Sequence, residues 1–141
     1  MKQQYWLVKS EPFKYSWAQF LADGQTFWDG VRNYQARNNL RSMKLGDTVF
    51  FYHSNEGLHI VGMAEVIRES YPDPTIDDPT WLAVDLKPLA EFTQPVSLAT
   101  MKADPLLQQM ALVRQGRLSV CPVTEAEFDR LVVLGKPVFF P

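Results

Sequence analysis

Apolar and aromatic side chains crowd into Tyr5-Trp6-Leu7-Val8-Lys9, and the run stops at Ser10-Glu11-Pro12, where proline cannot donate to a ladder; the first expected element is a strand. Ser16 and Gln19 have capping-box spacing, Trp17, Phe20 and Leu21 form an apolar stripe, and Gly24 can end it, which predicts a short amphipathic helix. Trp28-Asp29-Gly30-Val31 reads as a turn. Asn33 then caps a second helix that carries Ala36, Leu40 and Met43 on one face and ends near Gly46. Strands are expected from Thr48 to Tyr52 and from Ile60 to Arg68, joined as a hairpin by Ser54-Asn55-Glu56-Gly57. Tyr71 to Pro79 is an exposed, acidic, proline-rich loop, after which Leu82, Val84 and Leu86 alternate with Ala83, Asp85 and Lys87 as in a half-buried strand. Helix starts are expected at Ser97 and at Asp104-Pro105, and Leu118-Ser119-Val120 reads as the last strand. Thr124 and Glu127 form a second capping box before a helix with Phe128, Leu131 and Val132, closed by Gly135.

Strands mixed with short helices, without a βαβ alternation, repeat or linker, predict an α+β fold: a small, bent, mostly antiparallel sheet or pseudo-barrel with short helices at its ends, forming a single domain over 1–141. A hydrophobic fraction of 46% with 21% charged residues is that of a globular chain. The apolar runs are far shorter than the roughly 20 residues of a membrane helix, and Met1-Lys2-Gln3-Gln4 shows no leader pattern, so a cytoplasmic location and no membrane partner are expected. The lone Cys121 allows no internal disulfide, and His53 and His59 offer no metal-ligand spacing; neither metal nor cofactor is expected. A net charge of −2 disfavours a salt-driven grip on long duplex and leaves room for a local site in which a few cations steer one nucleotide.

Three clusters could carry chemistry. Trp28 to Arg37 packs two aromatics, two guanidinium groups and two side-chain amides into ten residues, the parts needed to stack a base, read its edge and meet a phosphate. The same residues could equally be a core tryptophan, a helix-capping Asn33 and solvated arginines. Phe50 to Asn55 runs a strand into polar groups, but His53 and Ser54 are adjacent on extended backbone, point to opposite faces and cannot pair as base and nucleophile. Arg114-Gln115-Gly116-Arg117 places two arginines around a tight turn, suited to phosphate or simply exposed. No phosphate loop, dinucleotide glycine pattern or zinc-deaminase signature is present, so binding is favoured over catalysis.

Taken in order, Tyr5 to Pro12, Trp28 to Asn38, Phe51 to Asn55, Ile60 to Val66, Pro95 to Leu98 and Leu112 to Val120 resemble the EVE domain family, which includes the thymocyte nuclear protein group, across nearly the whole chain. The resemblance implies a PUA-like pseudo-barrel, related to the YTH readers of methylated adenine, with a base-sized aromatic pocket. It implies a nucleic-acid partner, a modified base in DNA or RNA, held without being transformed. By the same resemblance the pocket is built from Lys9, Ser10, Pro12, Trp28, Asn33, Tyr34, Arg37, Tyr52, His53, Ser54, Arg117 and Ser119. The chain departs from the longer family pattern after Asp78, where Pro79-Thr80-Trp81 stands in place of an extended loop. Two other readings stay open: a hydrolase or base-modifying enzyme using His53 as general base, and a module that meets a separate protein partner through the Tyr71 to Pro79 loop.

Overall fold

Strand β3 (Thr48–His53) is buried along almost its whole length, which is what a continuous run of Val49, Phe50, Phe51 and Tyr52 requires. In the computed structural model, which describes residues 3–141 and leaves Met1 and Lys2 of the N-terminal segment outside, this strand lies between β1 (Tyr5–Ser10), parallel to it, and β4 (His59–Pro72), antiparallel. β1 also pairs with β6 (Val120–Val123), and β4 with the 16-residue β5 (Leu82–Ser97). The short β2 (Thr26–Trp28) and β7 (Pro137–Phe139) add to different parts of β5. The sheet order is β2-β5-β4-β3-β1-β6, and β1 with β3 is its one parallel pairing among the described residues.

Register shifts at four places between β4 and β5 bend this long pair, which turns a ladder into a pseudo-barrel. Gly62 sits at one of them. A Cβ there would lie 2.3 Å from the Trp17 ring and 2.8 Å from the Ala90 carbonyl oxygen, so only glycine lets strand and ring close together. Phe51 is the hub of the aromatic core, with Trp17, Phe20 and Trp28 at ring centroid distances of 5.2, 5.5 and 5.5 Å.

The helices are short and peripheral: α1 (Trp17–Asp23), α2 (Tyr34–Ser42), α3 (Leu98–Ala103), α4 (Ala111–Arg114) and α5 (Glu125–Gly135). Ser16, Asn33, Ser97 and Thr124 cap as expected, because a cap is a local bond between neighbours. Only Thr124 has the full reciprocal box; Gln19 turns instead to Asp23. The left-handed residue after α5 is Lys136 rather than Gly135, where a Cβ would fall 2.4 Å from the Phe92 ring.

Several sequence expectations are corrected. Trp28 ends a strand, not a turn: β2 is three residues long, too short for its periodicity to show, and exists through its pairing with β5. α2 stops at Ser42, before Gly46. Asp104-Pro105 begins successive turns, not a helix, because Asp104 accepts from the Leu106 N–H and holds Arg130. Leu118 and Ser119 precede β6, and β7 follows it as the last strand. Tyr71 and Pro72 belong to β4, and the loop after them is anchored by a buried Asp73. Among the described residues no helix is long and apolar enough to cross a membrane.

Candidate nucleic-acid interface

The end of β1, the turn after it, β2 with the residues that follow, and Ser119 enclose a cleft of about 550 Å³. β1 delivers Lys9 and Ser10 to one wall. The Lys9 N–H donates to the Ser119 carbonyl, which draws Ser119 alongside. The Ser10 hydroxyl donates to the Tyr15 carbonyl at 2.5 Å, so toward a ligand it acts as an acceptor. Tyr15 sets its ring edge-on to Trp28 and donates its hydroxyl to Asp23 at 2.8 Å. Burial, opposed by a hydrogen bond with Thr26 and reinforced by Asp23, pushes the phenol up to about 12, so it stays a neutral donor. Phe27 lines the rim, half-exposed. Lys9, Lys14 and Arg32 share the lining with Glu11 and Asp29, and Lys14 pairs with Glu11 at 3.4 Å. The Asp29 carboxylate is exposed and makes no hydrogen bond or ion pair to a described residue.

The second wall is held from a distance. Gly30 takes a positive φ of 78°, which glycine adopts freely, and its N–H donates to Asp73 at 2.9 Å. Arg32 reaches the same Asp73 oxygen at 2.9 Å, while the N–H and hydroxyl of Thr75 donate to the other. Burial pushes the Asp73 carboxyl up, yet the hydrogen bonds from Thr75, Gly30 and Arg32 outweigh it and hold the group at about 2. A carboxylate whose folded pKa lies below its unfolded value contributes stability that is complete above its unfolded pKa and is lost as the pH falls through the folded one. Urea unfolding between pH 5 and pH 2 is therefore expected to show a loss on the order of 2 kcal/mol in the wild type, flattened in Asp73→Asn. Equal pH slopes in the two proteins would rule this out.

Of the residues expected at the site, Lys9, Ser10, Trp28 and Ser119 line the cleft together. Trp28 is only 8% exposed and packs its ring edge-on to Phe51, so it serves the core as well as the cleft, and its loss cannot spare stability. Pro12 lies in the adjoining turn, outside the lining. Asn33 spends its side chain capping α2 and, with Gln35 and Arg117, borders a neighbouring polar groove. The Lys9 ammonium bridges the two depressions by donating to the Gly116 carbonyl at 2.7 Å; burial lowers its pKa, against a raising effect of Cys121. Tyr52 is 2% exposed in the core, and burial raises its pKa. His53 accepts the Trp17 N–H on Nε2 at 3.0 Å, serving the start of α1, and burial followed by the neighbouring His59 lowers its pKa. Ser54 is tied by its N–H to the Ser10 carbonyl. Tyr34 and Arg37 stand outside the cleft, against Trp81 and the Thr80 carbonyl. Tyr15, Phe27, Asp29 and Arg32 are among the residues that line it in their stead. Arg32 and Asp29 sat inside the dense Trp28 to Arg37 cluster and could have been found there; Tyr15 and the supporting Asp73 carry no local signal.

Residues 4–134 match the family model of the EVE domain. The chain belongs to this family. Human thymocyte nuclear protein 1 is 37% identical over 164 aligned positions, which take in 92% of this chain and 73% of the human protein. Its structure in complex with DNA containing 5-methylcytosine superposes with a TM-score of 0.89 at 36% identity, covering 95% of this chain and 98% of that one. A crystal structure of a protein from Agrobacterium tumefaciens is more similar still, at 53% identity and a TM-score of 0.92, covering 94% and 92% of the two chains. An ASCH protein from Zymomonas mobilis, 12% identical with a TM-score of 0.58 over 94% and 96% of the chains, shares the fold alone. The architecture of this EVE chain is PUA-like.

Proposed function

We propose that this EVE chain reads a modified cytosine in DNA, seating the base in the cleft between Ser10, Tyr15, Trp28 and Asp29. The observation that carries the reading is an aromatic-lined cleft of about 550 Å³, roomy enough for a nucleotide, with a carboxylate that pairs with no described residue, in a fold shared at a TM-score of 0.89 with a relative solved on 5-methylcytosine DNA. The chemistry is complementary. Asp29 is placed to accept from the exocyclic amine that marks cytosine, and Ser10 offers a second acceptor. Tyr15, Phe27 and the Trp28 edge supply apolar and π surface for the ring and its methyl group. Lys9 and Arg32 at the mouth suit the phosphates of one nucleotide, in keeping with a chain of net charge −2. His53 supports holding over turnover, because its Nε2 lone pair is committed to the Trp17 N–H and is not free to take a proton.

The test is fluorescence anisotropy with paired oligonucleotides that differ only in cytosine methylation. Burial of one methyl group is worth about 0.8 kcal/mol, so the wild type is expected to prefer the methylated DNA about four-fold. Asp29→Ala should weaken binding of the methylated DNA by about ten-fold, the scale of one lost base contact, and remove the preference, because the base is no longer seated against the ring surface. Equal affinity of the wild type for the two oligonucleotides would sink the assignment.

A further inference from the structure

We propose that Tyr34 and Trp81, flanked by Arg37 and Arg32, form a second station that stacks an unpaired nucleotide adjoining the base in the cleft; this rests on the base-reading role above. The two rings lie 5.1 Å apart at an interplanar angle of 34°. The Arg37 guanidinium sits 5.2 Å from the Tyr34 ring centre and that of Arg32 lies 5.8 Å from the Trp81 ring centre, so each ring has a cation beside it. Tyr34 is 62% exposed although it is the first residue of α2, a place where a polar side chain would serve the helix as well. An exposed tyrosine beside a half-buried tryptophan, set between guanidinium groups, is the equipment of single-strand binding: every base offers a face to stack, and the cations meet the backbone.

The patch is rigid and continuous with the cleft. Arg37 donates to the Thr80 carbonyl and, through Nε and Nη2, to Asn38. The bond to Thr80 ties the loop carrying Trp81 to α2, and the three together leave two of the five guanidinium N–H groups free for a phosphate. Arg32 uses one terminal nitrogen on Val31 and Asp73, which leaves its other donors to the ligand. Because Arg32 also lines the cleft, a strand whose base enters there passes this residue on its way to the rings.

The experiment measures binding of single-stranded 12-base DNA, with and without one central 5-methylcytosine, to wild type, Tyr34→Ala, Trp81→Ala and Asp29→Ala. Tyr34→Ala is the main variant, since its ring is exposed; circular dichroism checks the fold of each. Both ring variants are expected to lose about ten-fold in affinity for methylated and unmethylated strands alike, so the ratio between them stays at the wild-type value. Asp29→Ala instead changes base discrimination. Unchanged affinity in folded Tyr34→Ala and Trp81→Ala overturns the station while the base-reading role stands. A wild type that binds methylated duplex but no single strand does the same. Loss of strand affinity in the ring variants, with no methylation preference in the wild type, supports the station and removes the base-reading role.

Discussion

Trp28→Ala is expected to lower unfolding stability by about 3–5 kcal/mol, the usual cost of truncating a buried tryptophan, and to abolish measurable DNA binding at the same time. The indole fills the space between Phe51 and Tyr15, with centroid distances of 5.5 and 6.2 Å, and nothing adjacent can collapse into it without moving the aromatic core. A margin of roughly 5–15 kcal/mol is typical of a folded chain, so this one substitution removes a large share of it. Trp28→Phe separates the two roles. It keeps ring contact with Phe51 and leaves a smaller cavity, so folding should survive at a cost of about 1–3 kcal/mol while affinity for methylated DNA falls several-fold. Urea unfolding beside anisotropy on the same preparations is the check; a Trp28→Ala protein as stable as wild type would show that the indole is not a core element.

Asp73→Ala has a comparable effect through a different route. It strands the Gly30 N–H, the Thr75 N–H and hydroxyl, and one side of the Arg32 guanidinium, all satisfied by a single buried carboxylate. Removing one partner of such a pair costs about 3–5 kcal/mol. The functional loss should exceed that of an equally destabilised core variant, because Gly30 and Arg32 bracket Val31 and follow directly on Asp29. With their anchor gone, Asp29 is no longer held at the cleft mouth, and the preference for methylated over unmethylated DNA is expected to vanish. Anisotropy at a temperature where the variant remains folded tests this; retained preference would show that the rim is fixed by other contacts.

The parts of this molecule that were legible in its sequence are those made by neighbours. Ser16, Asn33, Ser97 and Thr124 announce their helices because the capped N–H lies three residues away. The β3 and β4 hairpin was legible for the same reason. The candidate cleft was only half legible. Trp28, Asn33, Tyr34 and Arg37 are close in sequence and read as one pocket, but the chain turns at Gly30, so Trp28 enters the cleft while Tyr34 and Arg37 meet the loop before β5. Conversely, Asp73 reaches Gly30 across 43 positions and sits in a stretch whose prolines and acids imitate an exposed loop. His53, whose chemistry invited a catalytic reading, spends it on a helix start 36 positions earlier.

The loop that follows Asp73 is closed at its neck, where the Asp73 N–H donates to the Trp81 carbonyl at 2.9 Å. Everything beyond that tie is an excursion with its ends already joined, and doubling the length of such an excursion costs only about 0.6 kcal/mol. Residues inserted past Ile76 would leave Asp73, and through it Gly30 and Arg32, where they are. For the reader proposed above, reach along the nucleic acid and choice of base are thereby separable quantities: one can lengthen by insertion while the other, set on the far side of the neck, stays as it was.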